Sequence, residues 1–276
     1  DWIGPNLFSS NISNIYNLFA GDYILTITDA NNCQISFPKT IFEPTAITAS
    51  ISSTTPVSCF GLSDGSATVD VTGGALPYGY SWSNGQTSAT ASNLSAGNYS
   101  VTITDGKGCT ESDNTVITEP AVLSATMGSP STVSCNGGNN GSVTVTGSGG
   151  TAATDYTYSW NTTPVQTTAT ATNLAAGDYS VTIKDDNNCT ATAGPISISE
   201  PIALSASIGI SSMVSCNGGN SGSATVTSSG GTAATDYTYS WNTTPVQTTA
   251  TASNLIVGNY TVTVTDDNGC TATDNV

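Results

Sequence analysis

Residues 151–170 and 232–251 are the same twenty amino acids, TAATDYTYSWNTTPVQTTAT, displaced by 81 positions. A chain that repeats at such a period is assembled from copies of one folding unit, so its architecture reduces to that unit and its junctions. Looser copies lie upstream, with the same landmarks in the same order: Val-Ser-Cys, a Gly/Asn turn, an alternating Thr/Val run, an aromatic strand with Trp, Leu-x-x-Gly-x-Tyr, then Asp-x-x-x-Cys. Four copies are marked by Trp2, Trp82, Trp160 and Trp241, and by Tyr23, Tyr99, Tyr179 and Tyr260. Glu43-Pro44, Glu119-Pro120 and Glu200-Pro201 close the first three, dividing the chain into 1–44 (a partial copy), 45–120, 121–201 and 202–276 (short of its end). The chain therefore reads as a window on a longer array. These boundaries leave almost no linker, so the copies are expected to stack as a stiff rod.

Within residues 121–201, Leu123–Met127 is expected as a first strand, which Val133-Ser134-Cys135 extends or kinks before the turn Asn136–Gly141. Val143 and Val145 alternate with Ser and Thr, the period of a half-buried strand. Tyr156, Tyr158 and Trp160 share one face of the next strand, and its counterpart in residues 45–120 runs into Asn84-Gly85, a two-residue hairpin signal. A short strand at 168–172 follows, then a strand facing Tyr179, Val181 and Ile183 inward, and a last one ending with Ile196 and Ile198. Charged residues are only 8% of the chain, and the Thr, Ser, Asn and Gly that replace them suit sheets and turns rather than helices. The predicted fold is all-β: tandem immunoglobulin-like β-sandwich repeats forming a rod. Trp82, Trp160 and Trp241 are the candidate core tryptophans, and Tyr23, Tyr99, Tyr179 and Tyr260 the candidate tyrosine corners.

Nineteen acidic residues against three lysines (Lys39, Lys107, Lys184) give a net charge of −16. Such a surface repels phosphate backbones, and nucleic acid is excluded as a partner. No apolar run approaches the ~18 residues of a membrane span, so no membrane insertion is expected. There is no His to act as a base and no Arg to clamp an anion, and no Ser stands in a nucleophile elbow, so no enzyme activity is expected.

Widely spaced cysteines in a Thr- and Asn-rich chain suggest an oxidising, extracellular location. Two pairings are open. Within repeats, Cys59 would join Cys109, Cys135 would join Cys189 and Cys216 would join Cys270. In a sandwich, however, the first and last hairpins lie at opposite poles, which favours bonds between successive repeats, Cys59 with Cys189 and Cys135 with Cys270. Cys33 would pair outside the chain under the first scheme. The acidic turns at Asp185, Asp186, Asp266 and Asp267 are weak calcium candidates, since one turn supplies at most two carboxylates and Asp favours turns for local reasons. No other cofactor is indicated.

With Val-Ser-Cys-Asn-Gly-Gly-Asn, Gly-Ser-Ala-Thr-Val, Tyr-Ser-Trp-Ser-Asn-Gly-Gln, Asn-Leu-x-Ala-Gly-x-Tyr and Val-Thr-x-x-Asp-x-Asn-x-Cys in order, the chain resembles the SprB repeat of gliding bacteria. The resemblance spans essentially the whole chain. Cys59-Phe60-Gly61-Leu62 departs from it by lacking Asn-Gly-Gly, and Trp2-Ile3-Gly4-Pro5 departs after the Trp; both lie in loops. The resemblance implies a cell-surface location and tandem use in very large adhesins exported by type IX secretion. It also implies neighbouring repeats, motility or secretion machinery and an extracellular substratum as partners. The function expected is a structural stalk that bears tension in gliding or attachment. The alternative is a glycan-binding repeat, acting through Gly149–Asp155 and Gly230–Asp236, or an accessory region of a secreted polysaccharide-degrading enzyme.

Overall fold

The computed structural model describes residues 1–151, 155–232 and 236–276. Every regular element among them is a β-strand, and every strand pairing is antiparallel. The chain divides into two compact units, residues 1–57 with 61–119, and residues 58–60 with 120–276.

In the first unit, β1 (Trp2–Ile3), β2 (Ser9–Ser10), β3 (Gly21–Thr28) and β4 (Gln34–Ile41) form one sheet in the order β2-β1-β3-β4. Next come β5 (Thr48–Thr55), β6 (Gly65–Thr72), β7 (Gly79–Trp82), β8 (Thr90–Leu94), β9 (Gly97–Thr104) and β10 (Thr110–Ile117). They form two three-stranded sheets, β5-β6-β8 and β10-β9-β7. Inward positions Ala67, Val69, Val101 and Ile103 alternate with more exposed Ser and Thr, and with Trp82, Leu94 and Ile117 they make the buried core between the sheets. This is the immunoglobulin-like arrangement, in which period-two strands supply one apolar face to each layer.

The second unit repeats that pattern twice. Strands β11 (Ala121–Met127), β12 (Gly141–Gly150), β13 (Thr157–Trp160), β14 (Thr170–Leu174), β15 (Gly177–Lys184) and β16 (Thr190–Ile198) give sheets β11-β12-β14 and β13-β15-β16. Strands β17 (Ser205–Ser212), β18 (Gly222–Ser229), β19 (Thr238–Trp241), β20 (Thr251–Leu255), β21 (Thr261–Thr265) and β22 (Thr271–Asn275) give β17-β18-β20 and β19-β21-β22. Their cores centre on Trp160 with Val181 and Ile183, and on Trp241 with Val262 and Val264.

Sequence reading went wrong at two local features. Asn84-Gly85 forms a tight turn, with Gly85 N–H on Trp82 C=O and Trp82 N–H on Gln86 C=O, yet it is no hairpin. The strands on either side, β7 and β8, belong to opposite sheets, and the chain crosses over after a single rung because Gln86 is held by the other sheet. The Val-Ser-Cys segment likewise does not prolong the first strand. Ser131 still bridges Ser142, but Val133 N–H then bonds Ser199 C=O beyond β16, so the chain has moved to the second sheet.

A partial copy shows what a second layer contributes. On β9 Ile103 is fully buried, whereas Ile27, at the same place in the Gly-x-Tyr-x-x-Thr-Ile-Thr run of β3, is 50% exposed. In that copy Tyr23 is covered locally, by Phe8 packed edge-on with ring centroids 5.5 Å apart.

Candidate functional site

Each corner tyrosine closes a loop of its own chain. Tyr23, Tyr99, Tyr179 and Tyr260 hydroxyls donate to the carbonyls of Phe19, Ser95, Ala175 and Ile256, each four residues earlier, at 3.0–3.1 Å. The tryptophans bury the ring and satisfy the one polar atom. Nε1 of Trp82, Trp160 and Trp241 donates to Ser88, Thr168 and Thr249 C=O at 2.8, 2.9 and 3.0 Å. Beside each ring a glutamine, unremarked in the sequence, copies a backbone pair. Gln166 accepts Thr172 N–H and donates to Thr172 C=O, both at 2.9 Å, and Gln86 and Gln247 do the same with Ser92 and Ser253.

The Asp of Asp-x-x-x-Cys organises the turn before the last strand. In Asp185, Oδ1 accepts the N–H groups of Asn187 and Cys189 at 3.0 and 2.9 Å, and Oδ2 accepts Thr151 N–H at 2.8 Å. Asp266 repeats this with Asn268, Cys270 and Thr232, and Asp105 with Lys107, Cys109 and Ala75. These carboxylates are almost fully buried, 5–6% exposed. Amide donation, from Ala75 above all to Asp105 and from Thr232 above all to Asp266, holds both carboxyls below the ordinary aspartate range, against the opposing effect of burial. For the calcium candidates this geometry matters directly. Both oxygens of Asp185 and of Asp266 face N–H dipoles whose positive ends occupy the directions a cation would approach from. Asp186 and Asp267 are exposed on the same turns, their N–H groups bonded to Thr151 and Thr232 C=O. Among the described residues no group of three or more Cys, Asp and Glu side chains is arranged to hold a metal ion.

The glycine pair opposite makes this close approach feasible. Gly149 and Gly150 have φ of +75° and +64°; a Cβ on the first would lie 2.0 Å from Val122 C=O, and on the second 2.5 Å from the Asp185 carboxylate.

These turns carry the covalent chemistry, all of it inside the second unit. Cys135 is bonded to Cys270 and Cys59 to Cys189, each with Cα atoms 5.7 Å apart. Beside each bond an asparagine on the acidic turn reaches the carbonyl preceding the partner cysteine. Asn268 Nδ2 donates to Ser134 C=O at 3.0 Å, and Asn187 Nδ2 to Ser58 C=O at 2.9 Å. The first-turn cysteine is anchored from behind by the Glu-Pro pair. Gly137 N–H donates to Glu200 at 2.6 Å and Asn136 Nδ2 to Pro201 C=O at 3.1 Å, while Gly61 N–H donates to Glu119 at 2.7 Å. Glu119 and Glu200, taken in the sequence as boundary markers, are thus ligands of the turn. The recurrence of Glu-Pro with a Gly two residues after each first-turn Cys was the available signal.

Cys33, Cys109 and Cys216 are exposed free thiols, so the within-repeat bonds Cys59–Cys109, Cys135–Cys189 and Cys216–Cys270 are not formed. Distance forbids the middle one. Cys135 lies next to Ser199 and Glu200 at the far end of β16, whereas Cys189 lies at its beginning, and a nine-residue strand separates them by ~30 Å. The candidate glycan loops, Gly149–Asp155 and Gly230–Asp236, fall partly on residues 152–154 and 233–235, outside the described residues.

The SprB repeat family model matches residues 51–87, 128–164 and 210–245. No curated protein matches the chain. Among solved structures, the chain aligns with the first eight immunoglobulin domains of a Down syndrome cell adhesion molecule at 14% identity and a TM-score of 0.35. That alignment covers 99% of this chain and 44% of the other, so the chain spans less than half the length of that protein fragment. A calcium-stabilised adhesin of an Antarctic bacterium aligns at 15% identity, 93% and 80% coverage and a TM-score of 0.40. A tetra-tandem repeat from the extending region of a large adhesion protein aligns at 15% identity, with the same coverages and a TM-score of 0.28.

Proposed function

We propose that this array of SprB repeats is a load-bearing stalk of a cell-surface adhesin, holding an adhesive region away from the cell and passing tension to it during gliding or attachment. One observation carries the reading. The turn that opens residues 121–201 is joined to the turn before the last strand of residues 202–276 by a disulfide, and the Asn268–Ser134 hydrogen bond lies beside it. A binding module has no need of covalent ties between its copies, whereas a tether pulled at its ends does. The conserved hardware of each copy serves the same end, because Trp, corner Tyr, Gln and buried Asp all spend their polar atoms on the copy's own backbone. The low charge and abundant Thr keep a long array solvated without strongly basic or apolar patches. Export by type IX secretion and residence outside the cell follow from the SprB relationship.

Labelling intact, unpermeabilised source cells with an antibody raised against this chain tests the reading. The expected result is surface label that travels along moving cells. Label that appears only after permeabilisation would refute it.

A further inference from the structure

The turn at Cys216 copies the turn that holds Cys135. Gly138 and Gly219 N–H groups donate to Cys135 and Cys216 C=O, both at 2.9 Å, and Gly137 and Gly218 have φ of +72° and +75°. Ser134 N–H bonds the Asn140 side chain and Ser215 N–H the Ser221 side chain, each at 2.9 Å. Both other cysteines of this motif, Cys59 and Cys135, are bonded to an Asp-x-Asn-x-Cys turn whose asparagine donates to the preceding serine carbonyl. Cys216 presents the same geometry as an exposed thiol.

A turn of the complementary kind stands at residues 29–33. Asp29 Oδ1 accepts Asn31 and Cys33 N–H at 2.8 and 2.9 Å, matching Asp185 with Asn187 and Cys189. Asn32 has φ of +63°, as Asn188 has +68°, and Cys33 is exposed and unbonded. Cys109 is also free, but Lys107 occupies the place of the clamping asparagine. Its ammonium is strongly hydrated and sits on a flexible stem, a poorer match to a buried carbonyl than a short planar amide.

We propose that Cys216 of one chain is the covalent acceptor for the Cys33 turn of a second copy, linking chains head to tail. The two thiols lose two protons and two electrons to a small-molecule disulfide such as glutathione disulfide. One cysteine thiolate attacks that disulfide and expels a glutathione thiol, and the second cysteine thiolate attacks the resulting mixed disulfide and expels the other. The contact is heterologous, so each linkage leaves a Cys33 and a Cys216 open at the two ends and the assembly propagates. The inference deepens the stalk reading by naming the partner of the array, and its chemistry stands or falls without any force being applied.

Incubation of the purified full chain in a glutathione redox buffer, followed by non-reducing electrophoresis and peptide mapping, is the test. The expected product is a ladder of oligomers whose new linked peptide joins Cys216 to Cys33. Cys216→Ser and Cys33→Ser each deplete the ladder at least ten-fold, Cys109→Ser leaves it unchanged, and Asn31→Lys slows its formation several-fold. All four positions are exposed, and unchanged tryptophan fluorescence verifies that the variants fold. Symmetric Cys216–Cys216 dimers, linkage through Cys109, or glutathione adducts without a ladder would each overturn the proposal, while leaving the surface-labelling result untouched.

Discussion

The two disulfides close loops that overlap in sequence, Cys59 to Cys189 and Cys135 to Cys270, with separations of 130 and 135 residues. When such a chain is unfolded by pulling on its ends, only the shortest covalent path bears the load. With both bonds intact that path runs from residue 1 to Cys135, crosses to Cys270 and ends at Val276, about 140 residue spacings, or ~50 nm at ~3.5 Å per residue. Reduction restores about 275 spacings, so the fully extended molecule lengthens by ~45 nm. Because the loops overlap, either bond alone gives nearly the same result. Without the Cys59–Cys189 bond the path is unchanged, and without the Cys135–Cys270 bond it grows by about 5 spacings, ~2 nm. Optical-tweezers extension of the wild-type chain, of Cys59→Ser with Cys189→Ser, of Cys135→Ser with Cys270→Ser, and of all four together measures this directly. Only the quadruple variant is expected to reach the reduced length under oxidising conditions. A gain of ~19 nm from the Cys135→Ser, Cys270→Ser pair would refute the reasoning, since independent loops of about 54 residues within each repeat would be responsible.

Removing a corner hydroxyl, as in Tyr179→Phe, deletes the bond to Ala175 C=O without changing packing, and should cost about 1 kcal/mol in urea unfolding followed by tryptophan fluorescence. Gly149→Ala forces a Cβ to within 2.0 Å of Val122 C=O at a φ of +75°, and should lower stability by more than about 1 kcal/mol in the same assay. Acid should destabilise the fold through Asp105, Asp266 and Asp274, whose carboxyls are held below the ordinary value of 3.8, chiefly by the amides of Ala75, Thr232 and Ile208. A depressed folded pKa means that the native state binds fewer protons. The contribution is therefore complete above the ordinary range and is lost as pH falls through the folded values. A thermal midpoint that is flat near neutrality and falls below about pH 4 is expected, with a shallower fall in Asp105→Asn/Asp266→Asn.

The parts legible in the sequence are those with short-range signatures. Val143 and Val145, or Val181 and Ile183, declare a strand by alternation. Tyr179 declares a corner by the Leu-x-x-Gly-x-Tyr spacing, because its partner carbonyl is only four residues away. Partners brought in from far along the chain were not legible. Asp185 reads equally as a turn residue or a metal ligand until Thr151, 34 positions upstream, delivers its N–H to the second oxygen. Glu200 reads as a boundary until Gly137, 63 positions upstream, binds it. Asn84-Gly85 misleads for a related reason. Turn chemistry is the same whether the next strand returns to its own sheet or crosses to the other, and the deciding contact, Gln86 with Ser92, lies beyond the turn. For the cysteines, spacing allows two schemes and only the length of β16 separates them.

The overlap of the two bridges also bears on survival among extracellular proteases. Hydrolysis of any one peptide bond between Cys59 and Cys270 leaves both products on a single covalent molecule, because at least one bridge always spans the break. Even one scission between Cys59 and Cys135 together with another between Cys189 and Cys270 leaves the two ends connected, through residues 135–189 and the bridge at each of its ends. Damage that would sever an ordinary string of domains leaves this one attached.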